Sequence, residues 1–253
     1  MKKRRENKIR IFEGIFKCFE DTHVREDVFN ENIWTKNSLK KLKSISLKEE
    51  LYCNYPGQDT QLAFLISTIT SKEKKITILD FGGGIGTTYA QIKKVIPHKN
   101  IFYYIIEKEA VCKEGSRFFK KDKKIKFTSS MPDIKKVDIV YARSSIRYVD
   151  KWKKTLKQLS SYNPKFFLIV DLLAGDVPPY VTIQNYYGGK IPCHVFNEKD
   201  FLNTMKKLCF EPVFWSNYAG TFFNEPSDFP QDHFPKKYRV KKSKNILFYN
   251  KKN

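Results

Sequence analysis

The run Ile76-Thr-Ile-Leu-Asp-Phe-Gly-Gly-Gly-Ile-Gly86 narrows the fold more than any other stretch of this chain. A β-rich apolar segment that ends in an acid and passes into Gly82, Gly83, Gly84 and Gly86 reads as a buried strand feeding a tight turn. Behind it, Thr88 to Ile96 carries Tyr89, Ile92 and Ile96 at helical spacing. Glycines in such a turn permit φ above zero and remove Cβ atoms, so a ligand can lie against the backbone where the helix N-terminus offers its N–H groups. The spacing departs from the dinucleotide pattern G-x-G-x-x-G, because Thr87 stands where the third glycine would fall, and no G-x-x-x-x-G-K-[ST] phosphate loop occurs.

Further along, apolar runs and helical patterns alternate. Ile101 to Ile106 is a second buried strand, followed by a helix from about Glu109 to Phe119 and a short strand over Ile125 to Thr128. Val137 to Ala142 is a fourth strand. The next helix places Trp152, Leu156 and Leu159 on one face, and Phe166 to Leu172 is the most apolar strand, expected at the centre. Asn197 and Asp200 cap a helix carrying Phe201, Met205 and Leu208. Pro212 to Asn217 and Asn245 to Tyr249 then form two strands across a long loop that holds Pro226, Pro230 and Pro235. The expected fold is therefore α/β: a Rossmann-like, doubly wound, mostly parallel sheet with an antiparallel C-terminal strand pair. Residues 1–72 stand outside this alternation. Phe12, Ile15, Phe16 and Phe19 lie at helical spacing and Gln61 to Ile69 looks like another helix, so an N-terminal helical extension is expected. It is either a packing extension or a lid or acceptor-recognition cap over the ligand cleft of a domain spanning 73–253.

Composition excludes several classes. Five cysteines with no CxxC pair and no metal-like cluster with the four histidines imply a reduced, cytoplasmic protein without a metal site. The longest apolar stretches fall short of the ~20 residues that cross a bilayer, and Lys8, Arg10 and Glu13 interrupt any export signal after Met1-Lys-Lys-Arg-Arg. The net charge of +21 comes from 40 lysines against 8 arginines, scattered through every segment. It is either a solvated surface or a field that draws a polyanion or a small anionic acceptor.

Glu107 closes the second strand about 25 residues beyond Gly82, where a carboxylate can accept both hydroxyls of a ribose. Asp80 to Gly86 resembles the first motif of the class I S-adenosylmethionine (SAM)-dependent methyltransferases, and Glu107 their ribose-binding acid. The resemblance implies SAM as cofactor and S-adenosylhomocysteine as product, held around Asp80, Gly82, Gly83, Gly84, Gly86 and Glu107. Ser129-Ser-Met-Pro-Asp133 resembles the loop that flanks adenine in that family; Ser130 would bond the edge of the ring and Met131 would pack on its face, and Ala142 is also expected to bind the cofactor. A narrower resemblance rests on Phe12-Glu-Gly-Ile-Phe16, Ile78 to Gly86, Ser144-Ser-Ile-Arg-Tyr-Val149, and Gln184 with Ile191-Pro-Cys-His-Val-Phe-Asn197. These segments are similar to a family of bacterial methyltransferases whose genes commonly lie among those for surface polysaccharides. That family tends to carry an aromatic residue where this chain has His194. The implied reaction is methylation of an oxygen, less readily a nitrogen, on a small anionic or sugar-linked acceptor in surface-glycan biosynthesis.

Acceptors in doubly wound sheets bind beyond the carboxyl ends of the strands, which favours Arg143, Ser144, Ser145 and Arg147 after the fourth strand. Arginine offers a planar fork for an anion. Asp171, near the end of the fifth strand, is a base, an orienting acid or a buried structural carboxylate. His194, in a Gly- and Pro-rich loop near Tyr186 and Lys190, is a candidate base or a structural histidine. Asp176-Val-Pro-Pro-Tyr180 is similar to the Asp/Asn-Pro-Pro-Tyr motif of adenine-amine methyltransferases, but Val177 cannot accept an amine hydrogen, so the segment reads as a loop. Two other functions stay open: an RNA methyltransferase, served by the charge, and a SAM-binding regulatory protein without turnover.

Overall fold

The computed structural model describes residues 10–24, 32–47, 61–69, 74–186, 188–218, 221–222, 225–226 and 229–252. In chain order these give β1 (Phe12–Phe16), α1 (Asn32–Leu47), α2 (Gln61–Ile69), β2 (Ile76–Phe81), α3 (Thr87–Val95), β3 (Ile101–Ile106), α4 (Glu109–Phe118), β4 (Ile125–Thr128) and β5 (Ile139–Arg143). There follow α5 (Trp152–Ser160), β6 (Phe166–Leu172), β7 (Ala174–Gly175), β8 (Tyr180–Tyr186), β9 (Gly189–Asn197), α6 (Glu198–Lys207), β10 (Phe210–Asn217), β11 (Thr221–Phe222), β12 (Glu225–Pro226) and β13 (Lys244–Asn250).

Strands that are apolar at every position must bury both faces, and this chain does so by period-two alternation. Ile78, Ile139, Tyr141, Leu168 and Val170 face one way, onto Leu62 and Ile66 of α2 and Tyr89 and Ile92 of α3. Leu79, Val140, Ala142, Phe167 and Ile169 face the other way, onto Leu156 and Leu159 of α5 and Phe201 and Met205 of α6. Each such side chain contributes roughly 1.5–3 kcal/mol by leaving water. The resulting sheet has the order β10-β13-β6-β5-β2-β3-β4. Strands β2 to β6 are parallel, β13 is antiparallel to β6, and β10 is antiparallel to β13. This is the doubly wound sheet with a C-terminal antiparallel pair that the sequence predicts. The chain winds outward from β2 through β3 to β4, then crosses back to β5 and β6, so the winding reverses between β2 and β5, where such sheets hold ligands. Asn197 caps α6 as expected, its Oδ1 accepting from the Asp200 N–H at 3.0 Å.

Two expectations fail. Phe12 to Phe16 is strand β1, not a helix; it pairs antiparallel with β8, and its register shifts between Glu13 and Phe16 around Gly14 at φ +75°. That bulge gives Phe12, Ile15 and Phe16 a spacing that mimics a helix. The segment expected as a Gly- and Pro-rich loop is the β8–β9 hairpin, turning through Gly188 at φ +87°. With β1 and β7 it makes a second sheet of order β1-β8-β9-β7, closed over a core of Phe12, Tyr180, Cys193, Val195, Phe229 and Phe234. Helix α2 is found as predicted. Helix α1 packs Leu42 against Ile85 and Val111, with Trp34 and Leu39 at the edge of that cluster. No described helix is long and apolar enough to cross a membrane.

Candidate active site

The turn after β2 holds Gly82, Gly84 and Gly86 at φ +73°, +59° and +89°, left-handed values that a side chain resists. Its close contacts explain the rest of the motif. A Cβ on Gly83 would stand 2.4 Å from Asp80 Oδ2, and a Cβ on Gly82 would stand 2.4 Å from the Cβ of Ser145. Asp80 is buried and accepts the Tyr103 hydroxyl at 2.7 Å, so it supports the turn from beneath. Gly86 opens α3 against Phe119. Glu107, just past β3, spans two backbone donors: Oε1 accepts from Gly84 N–H at 3.3 Å, and Oε2 from Lys108 N–H at 2.8 Å. It thereby clamps the glycine turn to the start of α4.

Above the carboxyl ends of β2 and β5 lies a cavity of about 610 Å³. That is within the roughly 300–1,000 Å³ of small-molecule sites. Of the predicted residues, it brings together Gly82, Glu107, Arg143, Ser144 and Tyr186. Gly84 is not among the lining residues, but a Cβ on it would meet the ring of Trp34, which is, at 3.3 Å. Arg143 Nη2 donates to the Tyr218 hydroxyl at 2.9 Å, which orients the guanidinium.

Other predicted residues stand apart. Asp80, Gly83, Gly86 and Ala142 do not line the cavity; Ala142 is buried in the core on the α5 side. In the expected adenine loop the lining residue is Ser129. Ser130 is turned into a local hydrogen bond with Thr128, and Met131 packs on the core. Arg147 is buried and paired with Asp171, which makes it a structural cation and not an acceptor ligand. Burial alone would lower its pKa, but the facing Asp171 charge outweighs that and holds it above its ordinary value. Asp171 lies behind the wall with both oxygens engaged: Oδ2 accepts from Ser144 Oγ at 2.6 Å and from Arg147, Oδ1 from Ser243 Oγ. Lys190 pairs with Glu13 of β1 at 3.1 Å. His194 does not line the cavity; its Nε2 donates to the Asp150 carbonyl at 3.1 Å, and its ring lies between Phe19 and Phe196 at 4.7 and 5.4 Å. Burial pushes its pKa down, so the imidazole is a neutral packing group one layer behind Phe19.

The sequence placed Ser145 after the fourth strand and Ser129 in the adenine loop, and both line the cavity; the residues it missed are Phe19 and Trp34, which reach the cavity from the N-terminal segment, together with Tyr148 and Lys108. Lys108 adjoins a predicted position and was within reach of the motif. Phe19 and Trp34 carry no local signal, because tertiary folding alone brings them there. Burial pushes the Tyr148 hydroxyl pKa upward, and the hydroxyl donates to Gln184 Oε1 at 2.8 Å. Among the described residues no group of three His, Cys, Asp or Glu side chains could hold a metal ion.

No family model matches the chain. No curated protein matches it in sequence either. Its architecture does match solved structures. A SAM-dependent methyltransferase from Clostridium acetobutylicum is 14% identical with a TM-score of 0.50, covering 87% of this chain and 99% of its own. A Haloferax volcanii protein solved in complex with the Trm112 methyltransferase activator is 12% identical with a TM-score of 0.54, covering 89% and 98%. The [4+2]-cyclase SpnF is 11% identical with a TM-score of 0.52, covering 90% and 98%. The fold is that of the class I SAM-dependent methyltransferases, and the cyclase shows that this fold carries more than one chemistry.

Proposed function

We propose that the chain is a SAM-dependent methyltransferase acting on an oxygen, less readily a nitrogen, of a small anionic acceptor, such as a phosphorylated or nucleotide-linked sugar of surface-glycan assembly. The observation that carries this reading is the placement of Glu107, clamped beside the left-handed glycine turn, and Arg143 in the wall of one cavity at the β2–β5 crossing. Glu107 would take the ribose hydroxyls, and Gly82 and Gly84 would admit the ligand against the backbone. When bound, the cofactor supplies an electrophilic methyl group. Transfer of that methyl is an in-line displacement that depends mostly on positioning and on keeping water out. Phe19, Trp34, Tyr148 and Tyr186 provide flat walls for both tasks, and Arg143 supplies the fork for the anion.

Calorimetry with S-adenosylhomocysteine and with NAD tests the cofactor; micromolar or tighter binding of the former, with NAD much weaker, is expected, and preference for NAD overturns the proposal. Transfer of labelled methyl to a panel of sugar phosphates, nucleotide sugars, phenols and amines tests the acceptor. Arg143→Lys should raise KM or lower kcat/KM about 10-fold or more while the affinity for S-adenosylhomocysteine stays near that of the wild type. Tight cofactor binding with no transfer to any acceptor would instead mark a regulatory protein.

A further inference from the structure

We propose that Ser144 accepts the hydrogen bond of the substrate's own X–H group and that its proton passes to Asp171, so the cavity selects methyl acceptors that are hydrogen-bond donors. This rests on the methyltransferase reading above and specifies its substrate as a hydroxyl with a proton to lose.

The serines in the wall have already given away their protons. A hydroxyl owns one proton. Ser144 Oγ spends it on Asp171 Oδ2 at 2.6 Å, and Ser145 Oγ spends it on the Phe81 carbonyl at 2.6 Å. Both partners are acceptors, since the Asp171 carboxylate also receives Arg147 and Ser243. Towards a ligand, then, both serines offer lone pairs. Opposite polarity comes from Arg143, so the wall is sorted into a donor for an anion and acceptors for an X–H.

The geometry is held in place from behind. Ser144 and Asp171 both adopt left-handed backbone, at φ +54° and +56°, a conformation that non-glycine residues keep only where their surroundings fix it. Ser144 N–H is tied to the Val170 carbonyl at 2.9 Å, and Asp171 N–H to Asn245 Oδ1 at 3.1 Å. The buried Arg147 pairs with Asp171 at the end of this path.

As the bond from X to the methyl carbon forms, the methyl carbon's bond to sulfur breaks and its electron pair stays on sulfur. The X–H proton moves to Ser144 Oγ, and the Ser144 proton moves to Asp171 Oδ2. A hydroxyl oxygen that gains a methyl becomes positively charged and strongly acidic, so a carboxylate suffices as receiver. A product whose only X–H has been methylated no longer donates to Ser144, which favours its release. Asp171 acts through Ser144 and is a positioning residue.

Two measurements test this. Crystals grown with S-adenosylhomocysteine are soaked separately in methanol, which can donate, and in dimethyl sulfoxide, which can only accept. Methanol oxygen within hydrogen-bond distance of Ser144 Oγ, absent in Ser144→Gly, together with no sulfoxide there, is the expected result. Sulfoxide oxygen on Ser144 Oγ, or no methanol, overturns the proposal. In the second measurement, with an acceptor from the panel above, Ser144→Gly fits the left-handed backbone without strain and should lower kcat about 10²- to 10⁴-fold. Asp171→Asn should do likewise, and both should bind S-adenosylhomocysteine within about twofold of the wild type. Wild-type kcat in either variant also overturns it, whereas loss of S-adenosylhomocysteine binding in the unmodified protein would sink the methyltransferase reading instead.

Discussion

Glu107 serves two backbone donors with two oxygens, so its replacement by glutamine is informative at the scale of one atom. Glu107→Gln puts an amide where one carboxylate oxygen stood and leaves one N–H of the turn without its acceptor. The affinity for S-adenosylhomocysteine should fall by about 1–3 kcal/mol, read by calorimetry. The melting temperature should fall by no more than about 2–4 °C, which is what ~1 kcal/mol means in a domain of this size. Gly83→Ala should behave differently. Its Cβ would press on the buried Asp80 carboxylate, and a stability loss of about 2–3 kcal/mol is expected by chemical denaturation. The sequence made the glycines and both acids legible as a group. It did not divide them into those that face the cavity and those that hold the turn, because that division depends on Tyr103, Ser145 and Trp34 arriving from other elements.

At the scale of elements, β2, β3, β4 and β6 have the boundaries that their apolar runs predict; β2, β3 and β6 are buried along most of their length, which leaves little freedom in where they end. The β8–β9 hairpin, expected as a loop, has a period-two pattern all the same: Ile191, Cys193 and Val195 are buried in alternation with Pro192 and His194. A proline and the two glycines beside it obscured that period. Once His194 is a strand residue packed between Phe19 and Phe196, its consequence is stability, not base catalysis. Its folded-state pKa lies below the ordinary value near 6.5, so the unfolded chain binds more protons and stability is lost as pH falls from about 6.5 through the folded value. His194→Phe keeps the stacking and removes the titration. Thermal melts from pH 7 to pH 5 should show the variant gaining on the wild type as pH falls, and parallel curves would refute the assignment.

For the whole molecule, the unexpected relation is between the beginning of the chain and the second sheet. Deleting residues 1–24 should remove the fully buried Phe12 and leave β8 at an open edge, while the central sheet keeps its own two faces covered. Hydrogen exchange should therefore quicken in β8 and β9 and stay slow in β2, β3, β5 and β6; uniform quickening would show that the two sheets unfold as one unit. The pairing of β1 with β8 also separates partners in time. Thr182 donates to the Glu13 carbonyl across 169 residues of chain. At the ~5–20 residues per second of ribosomal synthesis, roughly 8–34 s pass between the emergence of the two. During that interval β1 is an apolar strand with no partner yet made, so its protection on the ribosome falls to whatever the cell supplies.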